Sequence, residues 1–117
     1  MIKNLNGSKL GRTSAHKRAL LRNLATSLFL HEKIQTTQAK AKELVRYAEK
    51  LITKARPADL NARRAIKGEI QDEIVYKKMF DVLVPRYQTR TGGYTQIYKT
   101  GTRVGDRAEM ALVKLVS

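Results

Sequence analysis

The chain has 117 residues, and its 24 Lys and Arg residues outnumber its 10 Asp and Glu residues, which gives a net charge of +14 and a pI near 10.4. That length predicts a single domain, which buries roughly two-thirds of the surface that the unfolded chain exposes. There is no Cys and there are two His, so thiolate chemistry, disulfides and Cys-based zinc sites are excluded.

The N-terminal segment, residues 1–12 with the sequence MIKNLNGSKLGR, is predicted to be a basic extended arm. It has two glycines, three cations and no apolar period. It also lacks the apolar stretch of a signal peptide, and no later run approaches membrane-spanning length. We therefore expect a cytoplasmic protein with no membrane partner, whose single compact domain spans residues 13–117.

Positive charge is concentrated in the first half of the chain. Residues 1–56 contain 13 cations and 3 acids, whereas residues 57–117 contain 11 cations and 7 acids. No acid precedes Glu32. A net charge of this size favours a polyanionic partner, because a polyanion screens the self-repulsion of the compact chain. We therefore predict contact with nucleic acid, above all through residues 3–22.

The first helix is predicted over residues 15–32, because leucines fall on one of its faces at helical spacing. Thr13 or Ser14 precedes it, and a hydroxyl at that position accepts a hydrogen bond from an N–H group of the first turn. Arg18 and Arg22 lie together on another face. This helix is therefore expected to present one face to the core and another to an anionic partner.

A short strand and the clearest helix follow. The segment KIQTT, residues 33–37, is rich in β-branched side chains, which predicts a strand that ends in a hydroxyl cap. Apolar residues then recur at steps of three and four from Ala41 to Ala55, which predicts about five turns of amphipathic helix. Pro57 is expected to end this helix, because it biases the preceding residue toward an extended backbone.

Two shorter helices are predicted in the middle of the chain. Asp59 is the expected cap of a helix that runs over residues 60–67 and stops at Gly68. A further helix is predicted within residues 72–84, and Pro85 is expected to close it.

The C-terminal part is predicted to form a hairpin. Residues 94–100 and 110–116 alternate apolar and polar side chains at strand period, and the segment between them has turn composition. With the earlier strand they predict a small mixed three-stranded sheet flanked by about four helices. The expected fold class is α+β, with α-β-α layers and a basic extended N-terminal arm.

The glycine-rich segment over residues 91–107 is the strongest candidate for phosphate chemistry, because it holds four of the seven glycines and three cations. Neither the dinucleotide spacing G-x-G-x-x-G nor the ATP-type loop occurs in it, and no helix is predicted behind its turn. His16 and His31 are fifteen residues apart, and the acids form no cluster. We predict no enzyme activity, no cofactor, no metal site and no small-molecule substrate.

Six blocks of sequence follow one another along nearly the whole chain: KLGRTS at 9–14, LRNLATSL at 21–28, HEKIQTT at 31–37, AKAKEL at 39–44, GGYT at 92–95 and GTRVGDRAEM at 101–110. They resemble the family of protein seventeen of the bacterial large ribosomal subunit. The resemblance implies a structural ribosomal protein, not an enzyme, with a small sheet flanked by helices and a basic N-terminal extension.

The same resemblance implies that the partner is large-subunit ribosomal RNA of the 23S type, bound near the exit of the peptide tunnel. It also implies neighbouring large-subunit proteins as partners and a protein that is monomeric within the ribosome. The alternative from charge alone is a DNA-binding architectural protein. A strand separates the first two predicted helices, which disfavours a helix-turn-helix regulator.

The predicted RNA contacts lie in the arm, the first helix, the third helix and the glycine-rich segment. Cations neutralise phosphates there, and glycines allow a close backbone approach. The predicted set is Lys3, Lys9, Arg12, Ser14, His16, Lys17, Arg18, Arg22, Arg63, Arg64, Arg90, Gly92, Gly93, Tyr94, Lys99, Gly101, Arg103, Gly105 and Arg107.

For two pairs of residues, the sequence allows a structural role as the alternative to RNA binding. Tyr94 and Tyr98 are predicted to share one strand face, from which they either stack on bases or cover the core. Arg63 and Arg64 either bind RNA or form the solvated face of a helix.

Overall fold

The computed structural model describes residues 14–117, and the predicted arm over residues 1–12 lies outside that range. The described elements, in chain order, are α1 (Ser14–His31), β1 (Lys33–Thr37), α2 (Gln38–Ala55), α3 (Leu60–Glu69), α4 (Glu73–Lys78), a π-helical turn (Met79–Leu83), α5 (Val84–Arg86), β2 (Thr95–Thr102) and β3 (Glu109–Leu115). The α+β fold class and the order of helices and strands are therefore confirmed.

The sheet has three strands in the order β1-β3-β2, so the C-terminal strand lies in the centre. Both pairings are antiparallel, which corrects the expectation of a mixed sheet. Ala111, Val113 and Leu115 of β3 are buried on the face that the helices cover. The opposite face carries Tyr98, which pairs with Leu112, and this face is open. The helices thus cover one face of the sheet, which corrects the expectation of α-β-α layers.

Side-chain caps begin three of the helices, and the sequence predicts two of them, at Thr37 and Asp59. The Thr37 hydroxyl accepts a hydrogen bond from the Lys40 N–H at 3.4 Å, and Asp59 accepts one from the Ala62 N–H at 2.8 Å. Asp72 caps α4 in the same way. Each cap supplies an acceptor for an N–H group that has no partner within its own helix, and this fixes where the helix starts.

The helix before β2 does not end at Pro85, and this corrects the sequence prediction. Five residues over Met79–Leu83 adopt a π-helical turn, in which the Val84 N–H bonds to the Met79 carbonyl. Helix then continues through Pro85 to Arg86. The wider turn shifts the hydrogen-bond register just before the proline, which accommodates a ring that an uninterrupted α-helix excludes.

The C-terminal end of α1 is tied to α4 and α5 by Glu32. Its carboxylate accepts hydrogen bonds from both Arg86 Nη atoms at 2.7 and 3.3 Å, and Lys78 Nζ lies 3.0 Å from it. Lys78 also donates to the Leu30 carbonyl at 2.9 Å. The hydrogen bonds from Arg86, and then those from Lys78, lower the pKa of Glu32 to about 2.

This cluster makes a prediction about acid stability. A carboxyl whose pKa is lowered on folding stabilises the protein above its ordinary pKa and loses that contribution as pH falls. We expect Glu32→Gln to lower the free energy of unfolding by at most about 1 kcal/mol at pH 6, because the partly exposed pair is screened by solvent. The difference should shrink between pH 4.5 and pH 2. Urea unfolding of both proteins across this range measures it, and a difference independent of pH contradicts the assignment.

Candidate nucleic-acid interface

The first turns of α1 contain four of the predicted contacts. Ser14, His16 and Arg18 are exposed. Lys17 is different, because its side chain is only 18% exposed and its Nζ lies 3.3 Å from the Glu43 carboxylate on α2. Its ammonium is thus held inside the protein, where it joins α1 to α2, and Arg18 is the exposed cation of this turn.

Arg22 also has a partner within the protein. Its guanidinium donates to both carboxylate oxygens of Glu69 at 3.2 and 3.4 Å, and the Tyr47 hydroxyl donates to the same carboxylate. The hydrogen bonds from Arg22 lower the pKa of Glu69, whereas burial, followed by the Glu69 hydrogen bond, raises the pKa of Tyr47. With 35% of its side chain exposed, Arg22 joins α1 and α2 to the end of α3.

Tyr94 is a core residue, and its assignment as an RNA contact is corrected here. Its side chain is fully buried, and its ring packs on Tyr87 with 5.2 Å between centroids. It precedes β2, which begins at Thr95, so it does not share the exposed strand face of Tyr98. Tyr98 is 46% exposed and remains accessible to a base.

Glu49 of α2 contributes three of the hydrogen bonds that hold the loop before β2 against this helix. Glu49 accepts hydrogen bonds from the Gly93 N–H at 3.1 Å, the Thr95 N–H at 3.0 Å and the Thr95 hydroxyl at 2.8 Å. Gly93 has a φ of +66°, a conformation that glycine adopts without the cost of a side chain. Gly92 is half-buried beside it, and Arg90 is exposed and donates to the Gly93 carbonyl at 3.3 Å.

The hairpin between β2 and β3 is exposed, and its turn is shorter than the sequence predicts. Strand β2 continues to Thr102, with a register shift between Lys99 and Gly101 that places Gly101 in a β-bulge at a φ of +113°. Gly105, at a φ of +109°, lies in the turn itself. Positive φ at these two glycines accommodates the bulge and the turn, and Lys99 beside the bulge is exposed.

The turn itself is fixed by an ion pair. Arg103 donates to both carboxylate oxygens of Asp106 at 3.1 and 2.6 Å, and the Ala108 N–H donates to the same carboxylate at 3.1 Å. The hydrogen bonds from Arg103, and then that from Ala108, lower the pKa of Asp106 to about 2. Arg107 is exposed at a φ of +58°. The turn therefore presents Arg107 outward while Arg103 holds its shape.

The two arginines of α3 differ. Arg63 donates to the Ala58 carbonyl at 3.2 Å, and its guanidinium lies 4.4 Å from the centre of the Phe80 ring. These contacts give Arg63 a structural role beside any contact with RNA. Arg64 is exposed on the same helix.

Several predicted contacts come together at one end of the molecule. A groove of about 360 Å³ lies between the first turns of α2 and the base of the hairpin, and its lining includes Lys42 and Glu109. Lys99 and Gly101 line an adjoining groove of about 140 Å³. The Lys17 contact with α2 places the start of α1 next to these same turns. The start of α1 and the hairpin base thus both lie beside the first turns of α2.

Four exposed cations of α2 are absent from the predicted set: Lys42, Arg46, Lys50 and Lys54. Their four-residue spacing is the sequence signal that identifies them. Across residues 14–117, no group of His, Asp and Glu side chains is arranged to hold a metal ion. Within the same residues, no helix combines the length and the apolar character needed to cross a membrane.

Comparison with known proteins gives one consistent family. A family model described as ribosomal protein L17 matches residues 20–116. The large ribosomal subunit protein bL17 of Endomicrobium trichonymphae is 66% identical over 117 residues, which is the whole of both chains. The protein of the same name from Elusimicrobium minutum is 48% identical over 116 residues, or 99% of each chain. That from Campylobacter concisus is 52% identical over 109 residues, or 93% of this chain and 92% of the other.

Proposed function

The chain belongs to the ribosomal protein L17 family, a family of structural proteins of the large ribosomal subunit, and we propose that it binds large-subunit ribosomal RNA. The contacts are made by the basic arm, the exposed cations of α1 and the β2–β3 hairpin. The bound RNA lies near the exit of the peptide tunnel. Neighbouring large-subunit proteins also contact this protein. The protein acts in the cytoplasm, as a single copy within the ribosome, and catalyses no reaction.

The observation that carries the proposal is the exposure of cations at the start of α1 and on the hairpin, where two glycines have positive φ. Arg18 is exposed at the start of α1, and Lys99 and Arg107 are exposed on the hairpin. Gly101 has open space around the position of a side chain. RNA phosphates approach such a surface closely, because cations neutralise them and glycine backbone leaves room.

The groove geometry of A-form RNA favours RNA over duplex DNA as the partner. A-form RNA has a deep, narrow major groove that side chains enter poorly, so proteins bind its phosphates, 2′-hydroxyls and splayed bases. A basic arm and a protruding hairpin suit that target, because both reach between packed RNA helices. The exposed Tyr98 ring adds a surface on which one base can stack.

The test is a salt titration of binding to a large-subunit ribosomal RNA transcript at fixed Mg²⁺. A variant with Lys9, Arg12 and Arg18 changed to Gln should flatten the slope of log affinity against log salt by about 2 to 3 units, since each phosphate contact contributes about 0.7 to 0.9. Arg22→Gln should change the slope by less than one such contact and lower stability instead, because Glu69 holds this side chain.

A duplex DNA of similar length is the competitor. An unchanged slope in the three-residue variant removes the arm and α1 from the interface. Equal affinity of the parent protein for RNA and DNA at matched salt supports the architectural DNA-binding alternative. Co-sedimentation with large subunits through a moderate-salt wash tests the assignment in the assembled particle.

A further inference from the structure

The exposed side of α2 carries a row of four cations, Lys42, Arg46, Lys50 and Lys54, which we call the α2 ridge. Residues four apart on a helix are neighbours along one ridge, separated by about 6 Å along the axis. All four side chains are exposed, and Arg46 is 55% exposed. Like charges at this spacing destabilise a helix. Helix stability therefore does not account for the row of cations, whereas binding to an anionic partner does.

The acids of α2 are engaged elsewhere. Glu43 is buried at the border with α1, where Lys17 lies 3.3 Å from its carboxylate, and Arg46 reaches it only at 4.0 Å. Glu49 lies at the opposite border and accepts three hydrogen bonds from Gly93 and Thr95. Both acids therefore stabilise the fold at the edges of the exposed face. They neutralise little of the positive charge of the ridge, which is available to a partner.

The ridge is also the wrong surface for a protein interface. The large apolar side chains that the described residues expose lie on other elements: Leu30, Leu60, Ile74, Val82, Ile97, Tyr98 and Val104. The desolvated centre of a protein interface is depleted of charge and enriched in aromatic residues. A row of cations without apolar neighbours matches a sugar-phosphate backbone instead, which needs charge at regular intervals and little apolar contact.

We propose that the α2 ridge tracks the phosphates of one ribosomal RNA strand, as a second contact separate from the arm and α1. This inference rests on the proposed function. The contact with the RNA strand begins at the hairpin base, since Lys42 lines the groove there. The contact with the RNA ends near the loop before β2. Arg56 at the end of α2 donates to the Gln88 carbonyl of that loop at 2.9 Å, so the end of the ridge lies beside the loop. The ridge thereby connects the hairpin to the loop that carries Arg90.

The experiment changes all four ridge cations to Gln in the full-length protein. The control changes four exposed lysines outside α2 to Gln, Lys33, Lys67, Lys77 and Lys114, which removes the same net charge. Binding to a large-subunit ribosomal RNA transcript is titrated with salt at fixed Mg²⁺. We expect the ridge variant to flatten the slope by about 3 units and the control by less than one, because direct phosphate contacts release the counterions. The thermal midpoint of the ridge variant should equal or exceed that of the parent.

Two outcomes overturn the inference. If the control flattens the slope as much as the ridge variant, net charge alone is responsible. If the ridge variant binds RNA with the parent slope but fails to enter large subunits, the ridge binds a neighbouring protein. Failure of the proposed function is distinct, because the parent protein itself then shows no preference for ribosomal RNA over duplex DNA.

Discussion

Replacing Tyr94 with Ala is expected to lower the free energy of unfolding by about 3 to 5 kcal/mol, the range for removing a fully buried aromatic side chain. The ring is fully buried against Tyr87. Its hydroxyl also lies 3.4 Å from Thr53, Arg56 and the Arg90 carbonyl, so it connects α2 to the loop before β2. The loss is a large fraction of the roughly 5 to 15 kcal/mol that stabilises a domain. Urea or thermal unfolding measures it.

Tyr98 provides the matched control. Its ring is exposed, and its hydroxyl donates to Gln96 on the same strand at 2.6 Å. Tyr98→Ala should change stability by about 0.5 kcal/mol or less. It should weaken RNA binding by about 1 to 3 kcal/mol if a base stacks on the ring. The assignment of Tyr94 to the core is wrong if the two variants lose the same stability.

Replacing Glu49 with Ala is expected to cost about 2 to 3 kcal/mol of stability, since hydrogen bonds to a charged group contribute more than neutral ones. Three donors from Gly93 and Thr95 lose their acceptor at once. Glu49→Gln keeps one carbonyl oxygen and should recover part of the loss. Hydrogen exchange should report faster exchange at the Gly93 and Thr95 amides. Chemical denaturation gives the stability difference.

Glu73 is the comparison residue for this prediction. Its pair with Lys67 is 3.1 Å long but exposed on both sides. Glu73→Ala should therefore cost less than about 1 kcal/mol. Equal losses in the Glu49 and Glu73 variants mean that Glu49 does not hold the loop in solution. A looser loop should also weaken RNA binding, because ordering it then costs conformational entropy.

The structure divides the basic residues into those that hold the fold and those that face outward. Lys17, Arg22 and Arg103 each lie against a carboxylate within the protein. Arg18 and Arg107 are exposed. This protein thus uses part of its positive charge in structural ion pairs, and counting cations overestimates the number available to an anionic partner.

The local pattern of the sequence was sufficient for the elements and their ends. Thr37 and Asp59 cap the helices predicted for them, and β1 occupies the predicted residues 33–37. These features depend on neighbours within a few residues, so composition and periodicity report them directly. The six sequence blocks likewise indicated the family, whereas the net charge predicted only a polyanionic partner.

Tertiary structure alone decided the pairings between distant parts of the chain. Arg22 meets Glu69 across 47 residues, and β3 lies between β1 and β2. Tyr94 and Tyr98 have the same strand parity, yet β2 begins after Tyr94, which turns one ring into the core and leaves the other outside. Such contacts are selected by the packing of whole elements against one another, and a pattern that repeats every two or four residues carries no information about them.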